Sequence, residues 1–289
     1  MSIQRRSLLQ ALAATPVVIP ALASVTSSLA PSTSRAASMT PKHPNTYPVK
    51  AFGAKGDGTT LDTRAIQTAI DAAAKTQGTV IFDAGVYLTG SLFLKNGVTF
   101  KVDQGVRVQG SQNIEDYPLL PTRIAGIEMT WPAALINVYK EQNVTLTGDG
   151  IIDGNGKVFW DSYWNLRRQY DPQGIRWAAD YDCRRPRLIQ FFEAQNVRLE
   201  NLSLYRSGFW TVHICYSQDV AVHNVIIRNN EDGRGPSTDG IDIDSSRKVL
   251  VEKADITCND DALCMKSGRD SDGLRVSRPT EDVVIRDCI

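Results

Sequence analysis

Apolar residues recur along this chain in two rhythms. In "LDTRAIQTAIDAAAKTQG" (61–78), Ile66, Ala69, Ile70 and Ala73 follow the i, i+3, i+4, i+7 spacing of one helical face. Asp62 or Thr63 is placed to cap the start of this predicted helix, and Gly78 follows its end. The preceding "GAKGDGTT" lacks the Gly-Lys-Ser/Thr of a phosphate loop and reads as a tight turn. Beyond Gly78 the helical period gives way to short alternating runs: "NGVTFKV" (96–102), "QNVTLTG" (142–148), "QNVRLEN" (195–201), "QDVAVHN" (218–224), "RKVLVEK" (247–253) and "EDVVIRD" (281–287). Each opens on a polar pair or Asn-Gly and then alternates apolar with polar, as a half-buried strand does.

The later runs repeat at intervals. Val197, Val220, Val249 and Val283 are 23, 29 and 34 residues apart, and several units add a second apolar run, such as "NVIIRNN". Repeats of this size indicate a solenoid or a propeller, and the shortest unit is too small for a four-stranded blade. Two or three short strands per unit fit one coil of a parallel β-helix, each strand lying roughly 4.8 Å from its equivalent in the previous coil. The predicted fold is therefore all-β: a right-handed single-stranded parallel β-helix over 47–289, with the early helix capping its open end. Segments 111–135 and 157–187, rich in Trp, Tyr and Arg, read as insertions between coils. "EDVVIRDCI" stops inside what reads as a coil, so the domain is expected to be incomplete at its C-terminus.

Composition narrows the picture. Of 289 residues, 42% are hydrophobic, enough for one large core, and the 32 basic residues equal the 32 acidic ones. Such a balance gives no global field for nucleic acid, and none is expected as a partner. Arg5–Arg6 precede a short apolar stretch that ends in small residues at Ala21 and Ala23, the layout of a twin-arginine export signal. Pro16 and Pro20 break that stretch, which is too short to span a bilayer. Residues 1–30 are read as the signal and 31–46, within a Ser/Thr/Ala/Pro-rich tract from 24 to 46, as a linker. The expected destination is the periplasm or the medium, with no membrane span once the signal is removed. Five cysteines without a Cys-x-x-Cys pair argue against zinc, leave at least one thiol unpaired within the chain, and read mostly as small buried hydrophobes.

The chemistry gathers in "STDGIDIDSSRKVLVEKADITCNDDALCMKSGRD" (237–270), where seven aspartates interrupt strand-like sequence. Asp239 and Asp260 are 21 residues apart, close to the minimal repeat, so they can occupy neighbouring coils, with Asp261 beside them. Strict alternation would separate Asp260 from Asp261 and turn Asp242 and Asp244 outward, so the three converge only at bends, which Gly240 and Asn259 permit. Carboxyls that close push their pKa values apart, and one can hold a proton while another is ionised. Glycoside hydrolysis requires that pairing: an acid for the leaving oxygen and a carboxylate that activates water or attacks directly.

"FGAKGDGTTLDTRAIQTAID", "AGVYLTGSLFLK", "STDGIDIDSS" and "NDDALCMKSGRD" resemble polygalacturonases of glycoside hydrolase family 28, especially the bacterial exo-acting branch, over nearly everything from residue 47 onward. Ser237 stands where the family's Asn-Thr-Asp-Gly motif has Asn. The resemblance implies Asp260 as general acid, Asp239 and Asp261 as activators of the water in an inverting reaction, and no metal or cofactor. The family's Gly-His-Gly and Arg-Ile-Lys segments do not occur in these 289 residues. A polygalacturonate or pectic substrate carries a carboxylate on each sugar, so cations are expected in the cleft. Lys266 and Arg269 are the nearest candidates, with Arg234, Arg275 and Arg278 in the vicinity and His213 possible from a neighbouring coil. Trp210 reads as packing under a loop. The chain is expected to work as a monomer. Competing readings are a calcium-dependent lyase on the same scaffold, a rhamnogalacturonan or xylogalacturonan hydrolase, and a β-helix that binds carbohydrate without cleaving it or is inactive as a fragment.

Overall fold

The computed structural model describes residues 45–289. The export signal assigned to 1–30 and the linker up to residue 44 lie outside the described residues; Thr46, assigned to the linker, already belongs to the first strand, Thr46–Pro48. Among the described residues, three parallel sheets of eight, seven and six strands run side by side, joined in a right-handed parallel β-helix. No helix among them is long and apolar enough to cross a membrane.

The repeats stack in register. In the eight-stranded sheet Val144 pairs with Val197, Val197 with Val220, Val220 with Val249, and Val249 with Val283. Val197, Val220, Val249, Leu199, Val222 and Val251 are all buried, each contributing about 1.5–3 kcal/mol of apolar burial. The residue before each repeat valine is left-handed: Asn143, Asn196, Asp219, Lys248 and Asp282 have φ between 52° and 58°, and Gly97 does the same in the first unit. One such residue turns a coil corner sharply, which is why the polar pair recurs there. Asn196 Nδ2 donates to Asn143 Oδ1 at 2.8 Å, a side-chain rung across two coils.

The predicted helix is α1 (Thr63–Ala74), and its four apolar residues are fully buried. Its ends differ from expectation. Asp62 sits at the capping position, but its carboxylate accepts from the Lys55 and Gly56 amides at 2.7 and 2.9 Å, bracing the glycine-rich loop. Part of that loop is not a turn, since Asp57–Leu61 is the first strand of the seven-stranded sheet. Gln77, not Gly78, takes the left-handed conformation; Gly78 is needed because a Cβ there would lie 2.6 Å from Asn45 O.

The two insertions have structure of their own. Leu119–Ile124 and Ile127–Pro132 form an antiparallel hairpin. Helix α2 (Lys157–Tyr170) buries Phe159, Trp160 and Tyr163. The hairpin lies over the outer face of the six-stranded sheet, where Arg123 reaches Asp244 at 3.0 Å and Trp131 Nε1 donates to Arg185 O at 2.8 Å. Helix α2 packs on the loops between coils, Trp160 Nε1 donating to Ser207 O at 2.8 Å. That cover sets the environment of the acids.

Candidate active site

In strands Val212–Cys215, Ile241–Asp244 and Leu263–Lys266 the alternate residues Val212, Ile214, Ile241 and Ile243 fill the lumen. Their neighbours point the other way and form rows across coils: His213 beside Asp242 beside Cys264, and Cys215 beside Asp244 beside Lys266. Asp242 and Asp244 thus leave the lumen as alternation requires, yet both are fully buried. Arg123 of the hairpin caps Asp244, and Lys266 of the next coil caps Asp242.

Asp239 lies two residues before Ile241–Asp244, and Asp260 and Asp261 precede Leu263–Lys266 on the next coil. Gly240 N–H donates to Asp261 O at 2.9 Å and Ile241 N–H to Ala262 O at 3.0 Å, so the backbone ladder continues past the strands into both bends. One carboxylate oxygen each from Asp239, Asp260 and Asp261 lie within 4.8 Å of one another. Asp239 is buried while the other two are exposed.

Lys266 Nζ donates to Asp242, stands 3.7 Å from Asp239 Oδ2, and lies 4.8 Å from the centroid of the Trp210 ring. Burial alone would lower its pKa; Asp242, the Cys264 contact and Asp239 outweigh that and raise it. One ammonium cannot neutralise two buried carboxyls. Burial first, then mutual repulsion and Asp260, raise the pKa of Asp239 well above the ordinary aspartate value, and burial raises Asp242 despite Lys266. Asp239 Oδ1 and Asp242 Oδ2 are buried without a hydrogen-bond partner, and a retained proton supplies a donor there. Asp244 behaves oppositely. Burial would raise it, but His213, Arg123 and Ser245 hold it below the ordinary value. Burial pushes His213 down to about 4, so it is neutral at physiological pH, and its Nε2 is 3.8 Å from Asp244 Oδ2. The Arg123 guanidinium at 3.0 Å is therefore the counter-ion that keeps Asp244 ionised.

A pocket of about 160 Å³ opens over this cluster, lined by Asp239 and Asp260, by Phe209 and Trp210, by the hairpin tip, and by Trp177, Asp180, Tyr181, Ser237 and Arg269. Larger hollows exist elsewhere: one of about 230 Å³ holds Glu141 and Glu193, paired with Lys95 and Lys140, and three others hold one carboxyl each.

A profile of the glycosyl hydrolases family 28 matches residues 75–277. The chain belongs to glycosyl hydrolase family 28. This family 28 chain is 31% identical over 245 residues to a probable polygalacturonase of Vitis vinifera, covering 81% of the chain and 47% of that protein. It is 28% identical over 269 residues to an exo-poly-alpha-D-galacturonosidase of Dickeya chrysanthemi, covering 80% and 44%. Its fold superposes on the hyperthermoactive exopolygalacturonase of Thermotoga maritima with a TM-score of 0.74 at 29% identity, over 86% of the chain and 61% of that structure. The chain spans about half the length of the curated relatives it matches.

Within the family 28 chain, Asp239, Asp260, Asp261 and Lys266 come together as a group. Arg269 lies on the pocket wall, donating to Tyr181 OH at 2.9 Å. His213 does not reach the pocket surface: it is fully enclosed, accepts from Arg187 at Nδ1, and offers a saccharide no accessible atom. Arg275 is held by Asp272 and Glu128, and Arg278 donates to Tyr216 O at 2.8 Å, so both serve the covering segments. Trp210 is buried, as its place under a loop requires, yet it also floors the pocket. Two of the five thiols are buried, Cys183 and Cys215; the other three are partly exposed, and none is bridged.

Sequence reasoning missed Asp242, Trp177, Asp180 and Tyr181. Asp242 carried a signal, its position two residues before Asp244 of the Lys266 row and on the same face, but alternation does not show that it is buried. Asp180 accepts from Ser237 Oγ at 3.1 Å and from Arg185 NH2 at 3.3 Å. The Arg185 guanidinium is itself sandwiched between Tyr163 and Phe209 at 4.4 and 4.5 Å. Ser237, where family 28 has Asn, adopts φ of 51° and so keeps the turn that Asn favours.

Proposed function

We propose that this chain hydrolyses α-1,4-glycosidic bonds of polygalacturonate or pectin, acting from a chain end, by an inverting carboxylate mechanism. The observation that carries the reading is the convergence of Asp239, Asp260 and Asp261 within 4.8 Å at a pocket that also holds Arg269. Asp260, exposed at the pocket, protonates the leaving oxygen; Asp239 and Asp261 hold and deprotonate the water. Burial and the neighbouring Asp242 and Asp260 carboxyls raise the pKa of Asp239, so the cluster retains a proton that is available to the reaction. Arg269 meets a uronate carboxylate through paired hydrogen bonds, Lys266 supplies a positive field from below, and the exposed indole of Trp177 offers a sugar face a stacking surface. Export before action, and action as a monomer, belong to the same proposal and rest on the sequence.

The short carboxylate spacing supports one rival. Retaining glycosidases place their carboxyls about 5–5.5 Å apart and inverting ones about 6.5–9.5 Å. Proton NMR of the first anomer released from an α-linked oligomer separates them: β for inversion, α for retention.

The deciding experiment incubates purified chain, without calcium, with polygalacturonate and tri-galacturonate and resolves the products by mass. Saturated monomer or dimer is expected, with turnover reduced about a thousandfold by Asp260→Asn, as for loss of a general acid. Unsaturated product would replace the hydrolase with a lyase, and no product from folded protein would leave carbohydrate binding.

A further inference from the structure

The bend that carries Asp239 is held differently on its two sides. Downstream, the backbone ladder takes over at Asp239, whose carbonyl accepts from Thr211 N–H at 2.8 Å. Upstream, Pro236, Ser237 and Thr238 enter no backbone–backbone hydrogen bond among the described residues. Side chains hold them instead. Arg185 Nη1 donates to Pro236 O at 2.6 Å and Arg185 Nη2 to Asp180 Oδ1 at 3.3 Å, while the same Asp180 oxygen accepts from Ser237 Oγ at 3.1 Å. Three hydrogen bonds thus close a ring around the Pro236–Ser237 peptide. Arg234, two residues before Pro236, does not line the pocket; its carbonyl accepts from Trp164 Nε1 at 2.9 Å.

Arg185 itself is firmly seated. It is fully buried, its guanidinium lies between the rings of Tyr163 and Phe209, and its carbonyl accepts from Trp131 of the hairpin. Its Nε has no partner, so the two terminal nitrogens alone set where the fork points. Arg185 precedes strand Ile189–Phe192, which pairs with Val212–Cys215, which in turn pairs with Ile241–Asp244. The side chain therefore ties coils two steps apart, roughly 10 Å, whereas the ladder joins only adjacent ones. A buried guanidinium whose one carboxylate partner is 24% exposed is poorly compensated, and apolar packing between Tyr163 and Phe209 does not call for it. Ser237 also sits at φ of 51°, where Asn is favoured over Ser, so this turn depends on the contacts around it. We infer that Arg185 is a positioning residue for Asp239: with Asp180 and Ser237 it fixes the bend from which the Asp239 carboxyl meets Asp260 and Asp261. Arg185 lines no part of the pocket, so it acts through the bend and not on the saccharide. This inference rests on the hydrolase reading proposed above.

The test compares the full 289-residue chain with its Arg185→Met and Ser237→Ala variants, each assayed on polygalacturonate well below its melting temperature and each followed by amide hydrogen exchange. Arg185→Met should lower kcat about a hundredfold, as roughly 1 Å of misplacement does, and leave KM within about twofold. It should also speed exchange of the Thr211 and Gly240 amides, which bond to Asp239 O and Asp261 O, by at least about tenfold beyond any rise at Val220. Val220 reports the stack as a whole, so a residue that only stabilises the fold moves all three alike. An equal rise at the three amides overturns the inference, and so does an unchanged kcat or a rise in KM alone. Ser237→Ala cuts one bond of the ring. Should Arg185→Met fail to melt cooperatively, about tenfold loss of kcat in Ser237→Ala together with the local rise in exchange supports the inference, and the absence of either overturns it. If the parent chain hydrolyses nothing, the hydrolase reading falls alone, and the exchange comparison by itself decides whether Arg185 holds the bend.

Discussion

Asp239 carries the clearest consequence for stability. Because its pKa is raised in the folded chain, the native state binds a proton more tightly than the unfolded state. The stability linked to that proton is complete below the ordinary aspartate value of 3.8 and is lost as pH rises through the raised folded value. Asp239→Asn should therefore be more stable than the parent, by at least about 1 kcal/mol at pH 8, with the gap closing toward pH 4 in denaturant titrations. Arg123 makes the opposite case. Arg123→Met leaves Asp244 buried without its counter-ion and should cost about 3–5 kcal/mol in the same measurement. The proximity of Asp239, Asp260 and Asp261 was legible from a 21-residue interval close to the repeat. The burial of Asp242 and Asp244 was not, because Arg123 is 121 residues from Asp244 and local alternation says only that they leave the lumen.

Among the elements, those with local periodicity were readable and those defined by what they cover were not. Helix α1 and the coil strands announce themselves through spacing. The hairpin Leu119–Pro132 does not, since its residues alternate weakly and it is held by docking, Arg123 on Asp244 and Ile124 and Trp131 against Phe209 and Trp210. Helix α2 left a trace in the spacing of Phe159 and Tyr163, masked by its charged flank. The bend at Gly240 shows how tightly two elements meet: a Cβ there would lie 2.3 Å from Ala262 O and 2.8 Å from Ile256 Cγ2. Gly240→Ala must push the Asp239 bend away from the next coil. We expect a loss of about 1–3 kcal/mol in stability and, from roughly 1 Å of misplacement, about a hundredfold in kcat. Activity unchanged in a folded variant would show that this contact does not set the catalytic spacing.

At the scale of the whole molecule, each strand of the three sheets bonds only to strands of adjacent coils, so the stability of the stack is a sum over successive interfaces, to which the hairpin adds the Arg123–Asp244 tie across several coils. Strands Gln195–Glu200 and Gln218–His223 are flanked on both sides, whereas in Asp57–Leu61, at the edge of the seven-stranded sheet among the described residues, Leu61 remains 48% exposed. Amide hydrogen exchange should be slowest in the first two and fastest in the last. Uniform exchange would mean that the stack opens as one unit. The repeat length was enough to foresee this architecture, because a unit of about 23 residues cannot bury its apolar face without a neighbour above and below.

The distance between Asp239 and the Asp260–Asp261 pair is one step of the stack, fixed by the amide ladder that joins Gly240 and Ile241 to Asp261 and Ala262. It behaves as a lattice constant. Side chains around the pocket can be exchanged to suit another saccharide, and the loops between coils can lengthen, without stretching it. Variation among such sites is therefore confined to their walls, while the reacting groups keep the spacing of the fold itself.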